Sequence, residues 1–453
     1  MGQTLSEPVV DKKSENGDGE SLIYGVSSMQ GWRISMEDAH AAVLDFNAED
    51  GKPTSGDKRL AFFGVYDGHG GDKVALYAGE QLHKIVAKQE AFKEGDIKKA
   101  LQDGFLATDR EILCDPKYEE EVSGCTASVG VLSKDKIYVA NAGDSRTVLG
   151  VKGRAKPLSF DHKPQNEAEK ARIQAAGGFV DFGRVNGNLA LSRAIGDFEF
   201  KKSADLPPEQ QIVTAYPDVE IHDINPDDEF LIVACDGIWD CQSSQAVVEF
   251  VRRGIVAKQD LASICENMMD NCLASNSDTG GVGCDNMTMI IVGLLQGRTK
   301  EQWYEDIAKR VANGEGLSEF RGPGVHHRID DSPDDIDMDL DSRFRPGNSN
   351  GGRIILLGDG TEVSTGDNEA EMFDHEDEDK DLDSQVNKYN QAADSKSRQD
   401  RQGTPGPQHE SKVQVTESPS SVQTDRSDAP EPQSKEAQAN QQPDAGAAQA
   451  SKK

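Results

Sequence analysis

Four apolar runs in this chain each meet an aspartate at one end, and that placement constrains the fold more than any other feature. Residues 60–66 (LAFFGVY) end on Asp67, and residues 229–235 (EFLIVAC) end on Asp236. Residues 136–143 (KIYVANAG) run into Asp144, while Asp285 opens residues 286–295 (NMTMIIVGLL). Short runs of this kind, rich in β-branched and aromatic side chains, read as buried strands. An acid at the end of such a strand sits on a rigid platform where the sheet gives way to solvent, so several can converge on one point. Gly68, Gly143 and Gly237 beside these acids let the chain turn there. Converging carboxylates repel one another unless a cation lies among them.

Further strand-type runs at residues 125–132 and 146–151, with a Ser133-Lys134-Asp135 turn, point to antiparallel pairing. Helical stripes appear at Val74, Ala78, Leu82 and Ile85, and again at Leu261, Ile264, Cys265, Met268 and Cys272. Ser244 before AVVEFV reads as a helix start. Strands cluster between helical segments and do not alternate with them, so the expected class is α+β, with sheets packed together and covered by helices. Residues 1–21 are polar and read as a flexible N-terminus, 22–296 as one large domain, and 297–325 as a helical extension centred on 299–313. Residues 326–453 read as a disordered acidic tail. Seven aspartates fall between Asp330 and Asp341, and ten acids between Asp367 and Asp383. Such a segment buries too little apolar area to offset its ordering entropy.

The net charge of −32 argues against direct nucleic-acid binding, because a surface this negative repels phosphate backbones. Seven cysteines without a CxxC pair fit neither a disulfide framework nor a structural zinc site, and suit reduced thiols in cytoplasm or nucleus. The Asn286-Met287-Thr288 sequon lies inside an apolar run and is set aside. No apolar stretch approaches a membrane span. Met1-Gly2-Gln3-Thr4-Leu5-Ser6 matches the N-myristoylation pattern; a single acyl chain on Gly2 gives only weak, reversible membrane contact.

Magnesium or manganese suits an all-oxygen donor set best. Asp67-Gly68 can offer a carboxylate and a backbone carbonyl to one ion, although an isolated Asp-Gly is more often a simple turn. His69, in DGHGG, is placed to protonate a leaving alkoxide as a general acid. His162, in DHKP, reads as a loop contact. Arg33, in GWRISMED, carries the planar guanidinium that binds phosphate oxygens in pairs. Together these parts read as in-line phosphoryl transfer to water, with two cations lowering the pKa of a bridging water. No P-loop and no GxGxxG opening a helix is present.

Seven ordered motifs then resemble those of the type 2C, magnesium- or manganese-dependent, serine/threonine protein phosphatases. They are GWRISMEDAH (31–40), FFGVYDGHGG (62–71), SGCTASVGVL (123–132), NAGDSR (141–146), RVNGNLALSRAIGD (184–197), ACDGIWD (234–240) and CDNMTMIIV (284–292). The start and the acidic tail look most like fungal members. The resemblance implies a central sandwich of two antiparallel sheets flanked by helices, with a binuclear site at one end. It implies that Asp67, Asp236 and Asp285 ligate the two metals with the carbonyl of Gly68, and that Glu37 and Asp38 act largely through metal-bound water. Arg33 is then the phosphate clamp and His69 the general acid. Asp144 and Asp240 resemble ligands of a weaker third metal, and residues 160–202 resemble a substrate-selecting flap. Implied partners are phosphorylated proteins, among them kinases of stress or cell-cycle pathways, met by a monomer in a negative regulator of kinase signalling.

Overall fold

A computed structural model of the chain describes residues 4–47, 54, 58–277 and 281–316, with two short strands at Ile354–Leu356 and Glu362–Ser364. The chain divides into two units, Met1–Gly366 and Asp367–Lys453, and all described residues lie in the first.

Strands β1 (Thr4–Asp18) and β2 (Leu22–Arg33) form a long hairpin, followed by β3 (Ala39–Val43), β4 (Ala61–Tyr66) and the short β5 (Gly68–His69). Helices α1 (Lys73–Lys88), α2 (Glu90–Lys93) and α3 (Ile97–Cys114) come next. Then β6 (Gly124–Cys125), β7 (Ala127–Leu132), β8 (Lys136–Ala142), β9 (Arg146–Val151) and β10 (Arg154–Pro157) return to the sheets. An excursion carries α4 (Glu167–Ala175), β11 (Val180–Asp181), β12 (Arg184–Val185) and β13 (Ile195–Gly196). It ends in β14 (Asp218–Asp223) and β15 (Asp228–Ala234). Helices α5 (Asp236–Trp239), α6 (Ser244–Val256) and α7 (Leu261–Cys272) precede β16 (Met287–Leu294) and α8 (Lys300–Ala312).

Two antiparallel sheets result, one in the order β1-β2-β16-β15-β9-β10 and one in the order β14-β8-β7-β4-β3. Alternation along each strand explains the sandwich. Phe63 and Val65 of β4, Leu231 and Val233 of β15, and Ile290 and Val292 of β16 meet between the sheets. Their neighbours Phe62 and Tyr66 face outward under α1 and α3. Phe230, Ile232, Met289 and Ile291 face outward beneath α6, α7 and α8. With both faces covered, these strands read as unbroken apolar runs, the pattern that marked them in the sequence. The α+β sandwich flanked by helices is therefore the fold observed.

Three local differences have physical causes. Residues 1–21, read as flexible, contain β1, a polar edge strand without apolar alternation. Lys12, Ser14 and Asn16 tie it to Asp270, Glu266 and Asp260 on and before α7, and polar side chains on an edge discourage pairing with other chains. The run at 125–132 breaks at Thr126, whose N–H donates to the Asp67 carbonyl at 2.9 Å and whose hydroxyl accepts from the Asp67 N–H at 3.2 Å. Helix α6 is capped by Ser243, one residue earlier than read, its Oγ accepting from the Ala246 N–H. Helix α8 starts in a capping box of Thr299 and Gln302 and buries Trp303 completely. Within the tail, Ile354–Leu356 pairs antiparallel with Glu362–Ser364; the remainder of 326–453 lies outside the described residues, as does Gly2.

Candidate active site

The strand-end acids converge from both sheets. The six-stranded sheet contributes Arg33 at the end of β2, Asp236 just after β15 and Asp285 two residues before β16. The five-stranded sheet contributes Asp38 just before β3, Asp67 just after β4 and Asp144 between β8 and β9. One carboxylate oxygen each of Asp38 and Asp67 and the sulfur of Cys235 lie within 4.8 Å of one another. Two carboxylates at that spacing repel by roughly 3 kcal/mol at an effective dielectric of about 20.

The protonation equilibria register that crowding. Burial, reinforced by Asp285, pushes Asp38 up to about 7 against the pull of its Thr288 hydrogen bond. Burial and then the charges of Asp236, Asp38, Asp285 and Asp144 hold Asp67 well above the usual carboxylate range. Burial and the charges of Asp144, Asp285 and Asp240 do the same to Asp236. Asp285 is raised by burial, which outweighs the lowering effect of Arg33. A multiply charged cation removes the conflict.

The donors fit such an ion. Oδ1 of Asp38 and Oδ1 of Asp144 are buried and have no hydrogen-bond partner among the described residues. Asp38 Oδ2 accepts from Thr288 Oγ1 at 2.7 Å and from the Cys235 thiol at 3.4 Å. Burial raises the Cys235 thiol far above its ordinary value, which suits its role as donor to Asp38 Oδ2. At Gly68 a Cβ would lie 2.2 Å from the Glu37 carbonyl oxygen, so only glycine brings these two backbones so close beside Asp67.

Glu37 is held by its surroundings. Its Oε1 accepts from Ser35 at 2.7 Å, its Oε2 from the Gly71 N–H at 3.1 Å, and its own N–H donates to Asn286 Oδ1 at 2.8 Å. Arg33 donates through NH2 to Asp285 Oδ2, and its side chain remains 39 % exposed, open to an incoming anion. His69 lies on β5, its Nε2 2.7 Å from Asp197 Oδ2. Burial works against its imidazolium, but the Asp197 hydrogen bond and charge outweigh that and raise its pKa. Asp240 stands on the exposed rim, near the charges of Lys163 and Asp144. Lys163 Nζ holds Asp144 Oδ2 at 2.7 Å, an ion pair that the motif reading did not anticipate.

The sequence reading also missed the supports. Asn286, Thr288, Thr126 and Asp197 touch the expected ligands or the acid, and their adjacency to Asp285, Cys125 and Gly196 inside the motifs was the available signal. His162 is a buried buttress: Nδ1 accepts from the Gly143 N–H at 3.2 Å and Nε2 meets Asp218 at 3.1 Å, fixing the turn that presents Asp144. Residues 160–202 carry a small core of Ile173, Val185, Ala194 and Phe200, joined there by Val213. Beside it, buried Glu169 receives Arg172, Arg193 and Ser192.

The sequence pattern of the family described as Protein phosphatase 2C matches residues 22–280. A Protein phosphatase 2C homolog 2 from Hypocrea jecorina is 70% identical over 87% of this chain and 92% of its own length. One of the same description from Schizosaccharomyces pombe is 61% identical over 72% of this chain and 89% of its own. A crystal structure of a phosphatase from Toxoplasma gondii superposes with a TM-score of 0.53 at 26% identity, covering 64% of this chain and 97% of that one. Sequence pattern, relatives and sandwich agree: the chain belongs to the protein phosphatase 2C family and is a protein phosphatase.

Proposed function

We propose that the chain hydrolyses phosphoserine and phosphothreonine in proteins with two Mg2+ or Mn2+ ions, and so acts as a negative regulator of kinase signalling. The observation that carries the reading is the convergence of buried carboxylates with two oxygens unpartnered. Asp67, Asp236, Asp285 and the Gly68 carbonyl would hold the ions, with Glu37 and Asp38 behind them, and Asp144 and Asp240 would serve a weaker third. When bound, the ions supply Lewis acidity and a water nucleophile at neutral pH.

The remaining work falls to the chain. Arg33 binds phosphate oxygens through its exposed guanidinium face while Asp285 fixes its orientation. His69 delivers a proton to the departing serine or threonine oxygen, a contribution of about 10²–10⁴-fold for a positioned general acid. The segment 160–202 rises beside Asp144 and fits a role in choosing substrates. Seven unpaired cysteines suit a reducing cytoplasm or nucleus. Phosphorylated proteins are the proposed partners, met by a monomer; acylation at Gly2 would add only weak membrane contact.

Asp236→Asn tests the assignment. Turnover of a phosphoserine peptide with Mn2+ should fall at least about 100-fold with an unchanged circular dichroism spectrum, and chelation should silence the wild type. Full activity in either case rules the metal assignment out.

A further inference from the structure

Asp197 ends the motif RVNGNLALSRAIGD, yet the reaction as described gives it no part. It is 4 % exposed, and its Oδ2 lies 2.7 Å from His69 Nε2. Its backbone is left-handed, at φ 49° and ψ 41°, a conformation that side chains other than Asn and Asp rarely adopt.

Three sets of contacts hold it there. Strands β5, β6 and β13 form a miniature sheet in which Gly124 is paired with His69 on one side and Gly196 on the other. That register sets Asp197 across β6 from His69. A Cβ at Gly124 would come 2.5 Å from Asp197 Oδ2, so the glycine leaves the room through which the carboxylate reaches the ring. The Asp197 N–H donates to the Ser123 carbonyl at 3.2 Å. On α3, buried Asp109 accepts from the Gly196 N–H at 2.9 Å and from Lys201 Nζ at 2.6 Å, and Lys201 also donates to the Ala194 carbonyl. The chain is thus clamped on both sides of Asp197.

With Nε2 committed to Asp197, Nδ1 is the His69 nitrogen left for a substrate. We propose that Asp197 is a positioning residue for the hydrolysis: its carboxylate accepts the Nε2–H of His69 and aims Nδ1–H at the leaving oxygen. As the ester P–O bond breaks, its electron pair goes to the serine or threonine oxygen, which takes the Nδ1 proton. Water supplies the new P–O bond, and the ring, still hydrogen-bonded to Asp197 through Nε2–H, regains its proton from solvent. The inference rests on the reading of His69 as the general acid.

The test uses the Mn2+-loaded full chain and two substrates. A phosphothreonine peptide has a leaving group that needs protonation, and 4-nitrophenyl phosphate has one that scarcely does. Asp197→Asn and Asp197→Gly both accept the left-handed backbone, and melting curves check their folding. For His69→Ala the kcat ratio between the two substrates should shift by at least about 100-fold against the peptide. The Asp197 variants should shift it in the same direction by at least about tenfold, with KM for the peptide and Mn2+ binding by calorimetry little altered. His69→Ala combined with Asp197→Gly should be no slower than His69→Ala alone. A fall on both substrates alike, or a full additive loss in the double variant, overturns the inference while sparing the His69 reading. If His69→Ala leaves the ratio unmoved, the general-acid reading itself fails and the inference with it.

Discussion

The side chain of Asn286 makes three hydrogen bonds, and all of them arrange other parts of the site. Its Nδ2 donates to the Gln30 and Ser35 carbonyls at 2.8 and 3.0 Å, and its Oδ1 receives the Glu37 N–H at 2.8 Å. It therefore pins the end of β2 and the loop after it, which carry Arg33 and Glu37, to the segment just before β16, which carries Asp285. Asn286→Ala removes all three bonds at a buried position, and supports of this kind typically alter metal affinity by 10–100-fold. The expected outcome is Mn2+ binding weakened by about that factor in calorimetry, with the fold retained. The acids were legible in the sequence because a carboxylate at the end of an apolar run stands out. Asn286, Thr288 and Thr126 were not, because a polar residue within or beside a strand looks like a mere interruption until its partner across the sandwich is known. Lys163 and Asp197 were hidden for the same reason: each meets a residue far away in the chain, Asp144 and His69 respectively.

At the scale of elements, α8 belongs to the packed unit although it follows the last strand. Trp303 is wholly buried and donates from Nε1 to the Glu229 carbonyl at 3.0 Å. Glu229, itself fully buried, meets Arg252 of α6 and Arg310 of α8. Trp303→Ala should destabilise the fold by about 3–5 kcal/mol, read as a lowered denaturant midpoint at unchanged slope. The flap gives a second prediction. Glu169→Ala leaves buried Arg172 without its carboxylate and Arg193 with Asp218 alone, a loss of about 3–5 kcal/mol for a broken buried pair, to be read as faster proteolysis within 160–202 or a lowered midpoint. Burial alone would raise Glu169, but Arg193 overrides it and lowers the carboxyl to about 2. Its stabilisation is therefore complete above the ordinary glutamate range and fades as pH falls toward 2. Amphipathic helices and two-faced apolar strands were legible because burial writes a period into the sequence. Strand β1 writes none, since its stability comes from backbone pairing with β2 and from polar ties to α7. The flap's charged core reads in sequence as ordinary surface.

For the molecule as a whole, the crowded carboxylates make stability, pH and metal occupancy one coupled quantity. In the unfolded chain an aspartate titrates near 3.9, whereas burial pushes folded Asp38 to about 7 without an ion. Between those values the folded state holds a proton that the unfolded state has lost. Stability of the chelated protein should therefore fall as pH rises through that window, at up to about 1.4 kcal/mol per unit for one such group. Asp67 and Asp236 are raised in the same direction and should deepen the fall. On the proposed reading, cations bound there would replace those protons, and stabilisation by a ligand grows as its affinity grows. The gap in melting temperature between Mn2+-loaded and chelated protein should accordingly be small near pH 5 and widen toward pH 8. Asp38→Asn removes one titrating group, so its chelated form should lose part of the slope. General charge repulsion, which the −32 net charge also makes worse with rising pH, would act on loaded and chelated protein alike. A gap that stays constant from pH 5 to pH 8 would mean that the carboxylates do not hold the protons assigned to them, and that the ions bind elsewhere.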